Sequence, residues 1–235
     1  LGARDERTMV ECAIKVLGME EARREDAARL LREARALMLL SSPHVVRVFD
    51  VGEHPAHGPY LVLERLEGSD LGRMVPLGEA LPIGVVAALA LQACDAIGLA
   101  HDVGIIHRDI KPSNLFVARP RGGGEVLKVL DFGISKLAMP HRWDRTWTLT
   151  GGDGTLGSPQ FISPEQLRDP RKVDGRADLW SLGVSMFRIA TGRFPFEGES
   201  VAEIYSAILR EAPAPRIDGR DAASRALQAI LDRCL

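Results

Sequence analysis

Asp109, Lys111 and Asn114 sit close together in the run His107-Arg108-Asp109-Ile110-Lys111-Pro112-Ser113-Asn114, and a further carboxylate, Asp131, follows in Asp131-Phe132-Gly133. Carboxylate, ammonium and carboxamide side chains are the groups that proton transfer, charge neutralisation and hard-cation binding draw on. Asp109 and Asn114 share one short loop at a strand entrance, and Asp131 arrives on the far side of a hairpin. Two more charges stand far upstream. Lys15 shares a strand face with Ala13, and Glu33 borders the apolar stripe of a helix, three residues after Leu30 and four before Leu37. Either one alone is an ordinary solvated surface charge.

The elements that must position these groups follow from apolar periodicity. Val10, Cys12, Ile14 and Val16 alternate across residues 8–17, which predicts a strand with Cys12 on the face opposite Lys15. Residues 20–40 place Ala27, Leu30, Leu31, Ala34, Leu37 and Met38 at helical spacing and stop at Ser41-Ser42-Pro43. Residues 45–51 and 60–66 read as a strand pair around a loop at 52–59. Past Glu67-Gly68-Ser69 the pattern turns helical, with Val85, Val86, Leu89, Ala90, Ala93, Ile97 and Ala100 on one face. Strands at 115–117 and 126–130 flank a Gly-rich hairpin tip at 119–124. Residues 133–166 keep no period and hold Thr146, Thr148, Thr150 and Thr155, the pattern of a long loop that is functional or disordered. Residues 178–190 are apolar almost all round, which predicts a buried helix with Asp178 as its N-cap. Amphipathic helices near 201–209 and 222–235 complete the chain.

Composition narrows the class without naming it. The 235 residues are 46% hydrophobic and 26% charged, enough for a buried core. Thirty Lys and Arg against 32 Asp and Glu leave a net charge of −2, with no basic footprint for nucleic acid or anionic lipid. The longest nearly unbroken apolar stretch, 83–91, is short of the roughly 20 residues a bilayer needs, so no membrane contact is expected in this segment. Three cysteines far apart, without C-x-x-C spacing, predict neither zinc nor disulfides and fit a cytoplasmic location.

In chain order, the 107–114 run, Asp131-Phe132-Gly133 and Ser163-Pro164-Glu165 resemble the catalytic loop, the metal-binding motif and the end of the activation segment of protein kinases. Cys12-Ala13-Ile14-Lys15 is similar to the strand that carries that family's ATP lysine, with Glu33 on the helix that follows. Over essentially its whole length the chain resembles the bacterial eukaryotic-like (Hanks-type) serine/threonine kinases. The resemblance implies an α+β, two-lobed fold, with residues 1–66 in a small β-rich lobe and 67–235 in a larger, mainly helical one. It implies ATP and Mg²⁺ as cofactors. Asp109 would orient the acceptor hydroxyl and take its proton, Lys111 would support the transferring phosphoryl group, and Asn114 and Asp131 would bind magnesium. Lys15, paired with Glu33, would hold the α- and β-phosphates. Leu63 would be the gatekeeper, the backbone of Glu64 and Leu66 the adenine edge, Ala13 and Phe116 the pocket walls, and Asp70 the ribose partner. His107 and Phe132 are expected to be packing residues, and the resemblance adds to Asp178 a role anchoring the backbone of the catalytic loop.

Partners implied by the same resemblance are ATP, proteins with Ser or Thr acceptors, and a second copy of the chain for autophosphorylation in trans. Arg108 before Asp109 implies control by phosphorylation at Thr146, Thr148, Thr150 or Thr155. Ser158 stands where most members have Thr, and its hydroxyl would bridge Asp109 and Lys111. The family's Gly-rich loop has no counterpart ahead of Lys15, so both ends read as cut within the kinase domain and weak activity is expected of this segment. A pseudokinase or nucleotide-binding scaffold is the alternative, disfavoured because Lys15, Glu33, Asp109, Asn114 and Asp131 are all present. A small-molecule phosphotransferase is disfavoured by the Ser163-Pro164-Glu165 segment and the long loop before it.

Overall fold

The computed structural model describes residues 2–6, 8–17, 31–32, 34–120, 122–132, 159–210, 216–219 and 221–235. Glu33, Ser158, Thr146, Thr148, Thr150 and Thr155 lie outside them, so the structure says nothing of the expectations placed on those residues.

Four antiparallel strands form the first sheet: β1 (Gly2–Arg4), β2 (Glu11–Val16), β3 (Val48–His54) and β4 (Gly58–Glu64), in the order β1-β2-β4-β3. β2 begins at Glu11 rather than Thr8 because the chain is still turning there. Met9 has φ 58°, and the Asp5 carboxylate accepts the Thr8 N–H at 3.2 Å. The loop expected at 52–59 shrinks to 55–57, since β3 and β4 pair as far as His54 opposite Gly58. Gly52 marks a close approach and not a turn: a Cβ there would stand 2.5 Å from the Tyr60 hydroxyl of the partner strand. Of the helix expected at 20–40, the described residues 31–32 and 34–37 are helical.

A second sheet, β5 (Gly68–Asp70), β6 (Leu115–Ala118) and β7 (Val126–Val129), lies below the link at 65–67. β5 went unpredicted because three residues are too few to show a period. The larger lobe is built on α1 (Ile83–Asp102), α2 (Arg176–Thr191), α3 (Val201–Leu209) and α4 (Ala222–Cys234). α1 corrects the sequence estimate. Its 20 residues with hydropathy 1.9 are long and apolar enough to span a bilayer, yet Val86, Leu89, Ala93, Ala96, Ile97 and Ala100 are buried in the core, against β7, α2 and α4. α2 is buried continuously from Trp180 to Ile189, as its all-round apolar pattern predicts, and ends at Gly192 in the left-handed region, φ 75°. Part of the stretch expected to be a loop is ordered: Ser163 caps the helical turn Pro164–Arg168 in a reciprocal capping box with Gln166. One core cluster joins the lobes, running from Leu37, Val45 and Leu61 through Phe132 and Ile110 to Phe187.

Candidate active site

Asp178 organises the 107–114 loop from beneath. It lies in the first turn of α2 and is fully buried. Its carboxylate accepts the backbone N–H of His107 at 2.8 Å and that of Arg108 at 2.7 Å, and sits 2.8 Å from His101 Nε2. The N-cap position belongs to Gly175, which makes no side-chain cap bond, so of the two sequence readings of Asp178 the anchor is the correct one. Arg108 has φ 62°, a conformation that costs a non-glycine residue roughly 1–3 kcal/mol and persists only where neighbours over-determine it. The Asp178 bond to its N–H supplies that constraint.

His107 is packed as expected. It is wholly buried, its Nε2 lies 2.7 Å from the Leu130 carbonyl, its Nδ1 faces the Asp109 N–H at 3.2 Å, and its ring lies 4.8 Å from that of Phe132. Those partners define the neutral tautomer with the proton on Nε2. Burial pushes the imidazole below its ordinary 6.5, against the pull of nearby Asp178.

The half-buried Asp109 carboxylate is shared by two donors. Its Oδ2 lies 3.0 Å from Asn114 Nδ2 and 3.1 Å from Lys111 Nζ, and Asn114 Nδ2 also donates to the Asp109 carbonyl at 2.8 Å. The amide nitrogen of Asn114 is thereby committed to Asp109, and its oxygen is the acceptor left over. The Leu130 N–H donates to the Asn114 carbonyl at 2.9 Å, tying this loop to the strand end that bears Asp131. Asp131, at φ 54°, places Oδ1 2.6 Å from Lys15 Nζ, with the two side chains 40% and 34% exposed. Leu17, Leu37, Val46, Val48, Leu61, Leu63 and Phe132 line the pocket behind this pair, which puts Leu63 at the inner wall. Among the described residues no cluster of three His, Cys, Asp or Glu side chains forms a self-sufficient metal site. One carboxylate plus one amide oxygen suits a hard cation that completes its shell with phosphate and water oxygens.

The residues expected around adenine and ribose are spread over both sheets and the link between them. Ala13 lies opposite Leu63 in the first sheet, and half-buried Phe116 lies opposite Asp70 in the second, on the other side of the link that carries half-buried Leu66. The Asp70 carboxylate is already a helix cap. It accepts the Arg73 N–H at 3.0 Å and pairs with the Arg73 guanidinium at 3.4 Å. The Glu64 N–H donates to the Arg47 carbonyl, and the Glu64 side chain pairs with Lys128 at 2.6 Å. Sequence reasoning passed over Lys128. Its only signal was a lone Lys between buried Leu127 and Val129, three residues before Asp131.

A strand-rich small lobe over a helical one, with a lysine–aspartate pair across the cleft and a carboxylate loop anchored to a central helix, is the two-lobed α+β architecture of protein kinases. The chain belongs to the protein kinase domain family, whose pattern matches residues 1–235. It is 40% identical over 207 residues to the serine/threonine-protein kinase Pkn1 of Myxococcus xanthus, covering 88% of this chain and 29% of that protein. It is 34% identical over 237 residues to the serine/threonine-protein kinase PknB of Mycobacterium leprae, covering 99% of this chain and 36% of that protein. The chain thus spans about a third of the length of the curated relatives it matches. In fold it is similar to Rad53 1–466, solved in complex with AMP-PNP, with a TM-score of 0.74 at 24% identity, covering 98% of this chain and 55% of that one.

Proposed function

We propose that the protein transfers the γ-phosphoryl group of ATP to Ser or Thr hydroxyls of protein substrates, with residues 1–66 and 67–235 as the two lobes of the catalytic domain. The observation that carries this reading is the Asp109 carboxylate, held by Asn114 at 3.0 Å and Lys111 at 3.1 Å beside a Lys15–Asp131 pair. The acceptor oxygen forms a bond to the γ-phosphorus, the bond from that phosphorus to the bridging β–γ oxygen breaks, ADP leaves, and Asp109 takes the hydroxyl proton. Lys111 neutralises charge on the passing phosphoryl group, with Ser158 as its second contact. Asn114 and Asp131 would hold Mg²⁺, which when bound neutralises the phosphates and orients them in line. Lys15, aligned by Glu33, holds the α- and β-phosphates. Adenine stacks between Ala13 and Phe116 and meets the Glu64 carbonyl and the Leu66 N–H, while Asp70 is the ribose partner. The catalytic domain acts in the cytoplasm, and phosphorylation in trans at Thr146, Thr148, Thr150 or Thr155, read by Arg108, raises its activity.

The test compares full-length protein with its Asp109→Asn variant for ATP-dependent labelling of a generic protein substrate. Phosphate on Ser or Thr, falling by about 10²–10⁴-fold in the variant, is expected of a lost general base. Equal labelling by both proteins sinks the mechanism, and no labelling by either leaves a nucleotide-binding scaffold.

A further inference from the structure

Two ion pairs brace the cleft from opposite ends. The outer one, Lys15–Asp131, is more than a third exposed on both sides. The inner one, Lys128–Glu64, has a contact of 2.6 Å and side chains only 13% and 22% exposed. The inner pair does not stand alone. Glu64 Oε1 also accepts the Arg47 N–H at 2.8 Å, and Lys128 Nζ donates in addition to the Val45 carbonyl at 3.3 Å. The 44–47 segment is itself stitched to β7: the Val46 N–H donates to Val129 at 3.1 Å, the Val129 N–H donates to His44 at 2.8 Å, and His44 Nδ1 lies 3.0 Å from the Leu127 carbonyl. Three pieces of backbone therefore meet at this one ion pair: the end of β4, the segment entering β3, and β7.

These pieces close a frame. Lys15 is fixed to β4 through the β2 ladder, where it pairs with Leu61. Asp131 stands two residues beyond the end of β7. Moving along β4 from Leu61 to Glu64, across to Lys128 and out along β7 to Asp131 leads back to Lys15. The long sides of this path are β4 and β7, and Glu64–Lys128, together with the bonds from the 44–47 segment to β7, joins them at the end away from Lys15 and Asp131. A charge pair this shielded is costly to break by removing one partner. The outer pair is solvated and easily parted.

We propose that Glu64 and Lys128 are positioning residues, an inner pivot that holds the lobes in register while the outer Lys15–Asp131 pair opens to admit the nucleotide phosphates. The proposal rests on the phosphotransfer reading above, and it adds a role for the Glu64 side chain, whereas that reading uses only the Glu64 backbone. The pivot acts on nucleotide binding, because Lys15 and Asp131 both face the phosphates and neither faces the protein acceptor.

The test uses full-length protein with Glu64→Gln, Lys128→Met and Lys128→Arg. Each is measured for KM of ATP, KM of the protein acceptor, kcat, thermal midpoint, and affinity for a fluorescent ATP analogue. Glu64→Gln and Lys128→Met should weaken the analogue and raise KM for ATP by about tenfold, the scale of a modest misplacement of reacting groups, with the acceptor KM unchanged. Lys128→Arg, which keeps the charge and its reach, should stay within about threefold of the parent on the same scale. A lower thermal midpoint with unchanged ATP KM and analogue affinity makes the pair a stability element only and overturns the proposal. So does an Arg variant as impaired as the Met one, or a Met variant with raised kcat, which would make the pair a restraint. If the parent binds the analogue but labels no Ser or Thr, the kinase reading fails while the affinities still judge the pivot. A parent that binds no nucleotide overturns both.

Discussion

The 107–114 loop and the Lys15–Asp131 joint lie side by side in one cleft but are held in opposite ways. The loop hangs from a carboxylate with no solvent exposure, Asp178, and from a fully buried imidazole, His107, through bonds of 2.7 to 2.8 Å. The joint is one solvated contact between two lobes. The difference separates two tasks. A group that must meet an acceptor hydroxyl the same way in every turnover is anchored inside one lobe, where buried hydrogen bonds are expensive to break. Groups that must part to let phosphates in are set across the lobe boundary, where water keeps the contact weak.

Asp178→Ala should break this contrast most severely. It strips acceptors from two N–H groups and from His101 at once, and the expected loss is about 3–5 kcal/mol of unfolding free energy, read by denaturant titration. For a chain of this size that lowers the thermal midpoint on the order of 10 °C. Asp178→Asn keeps one acceptor oxygen and should lose less. A loss under about 1 kcal/mol for Asp178→Ala would show that the loop is held elsewhere.

Lys15→Met should show the reverse profile. Because both partners are solvated, its unfolding free energy should stay within about 1 kcal/mol of the parent. Phosphotransfer should nonetheless fall by about 10²-fold in kcat/KM, the scale of one lost electrostatic contact to developing charge. A variant as unstable as Asp178→Ala would erase the distinction between anchor and joint.

The same distinction governs what the sequence made legible. Asp109, Lys111 and Asn114 are local to one run, so their grouping needed no knowledge of the fold, and α2 announced itself by its all-round apolar pattern. The Lys15–Asp131 contact bridges residues far apart in the chain and was not anticipated, since the family resemblance paired Lys15 with Glu33 and gave Asp131 to the metal. Periodicity failed where elements are short or pairing decides the boundary, as in β5 and in the strands that close on the 55–57 turn. It also missed Lys128 and the side-chain contact of Glu64. A charged residue in a strand carries no mark of whether it meets solvent or another lobe, and only the packing of β7 beneath β4 decides it.

The smallest expected effect concerns the buried end of the loop and is a matter of pH. Burial holds His107 below its ordinary 6.5, so the native state resists its protonation while the unfolded chain does not. Between 6.5 and the depressed native value the unfolded state binds more protons, and stability must fall as pH falls. Above that window the contribution is fully present. Other shifted groups stay out of the way: the Asp174 carboxyl, lowered by its hydrogen bond to Arg176, and that of Asp221, lowered by Ser224, start from 3.8 and lose their contributions only in stronger acid. His107→Gln, which keeps a polar group toward Leu130 but cannot titrate, should be less stable than the parent at pH 8 and show a flatter profile, so that the two unfolding curves converge toward pH 5. Parallel curves from pH 8 to 5 would mean that His107 carries the same charge in both states, and the loop would then owe its rigidity to Asp178 alone.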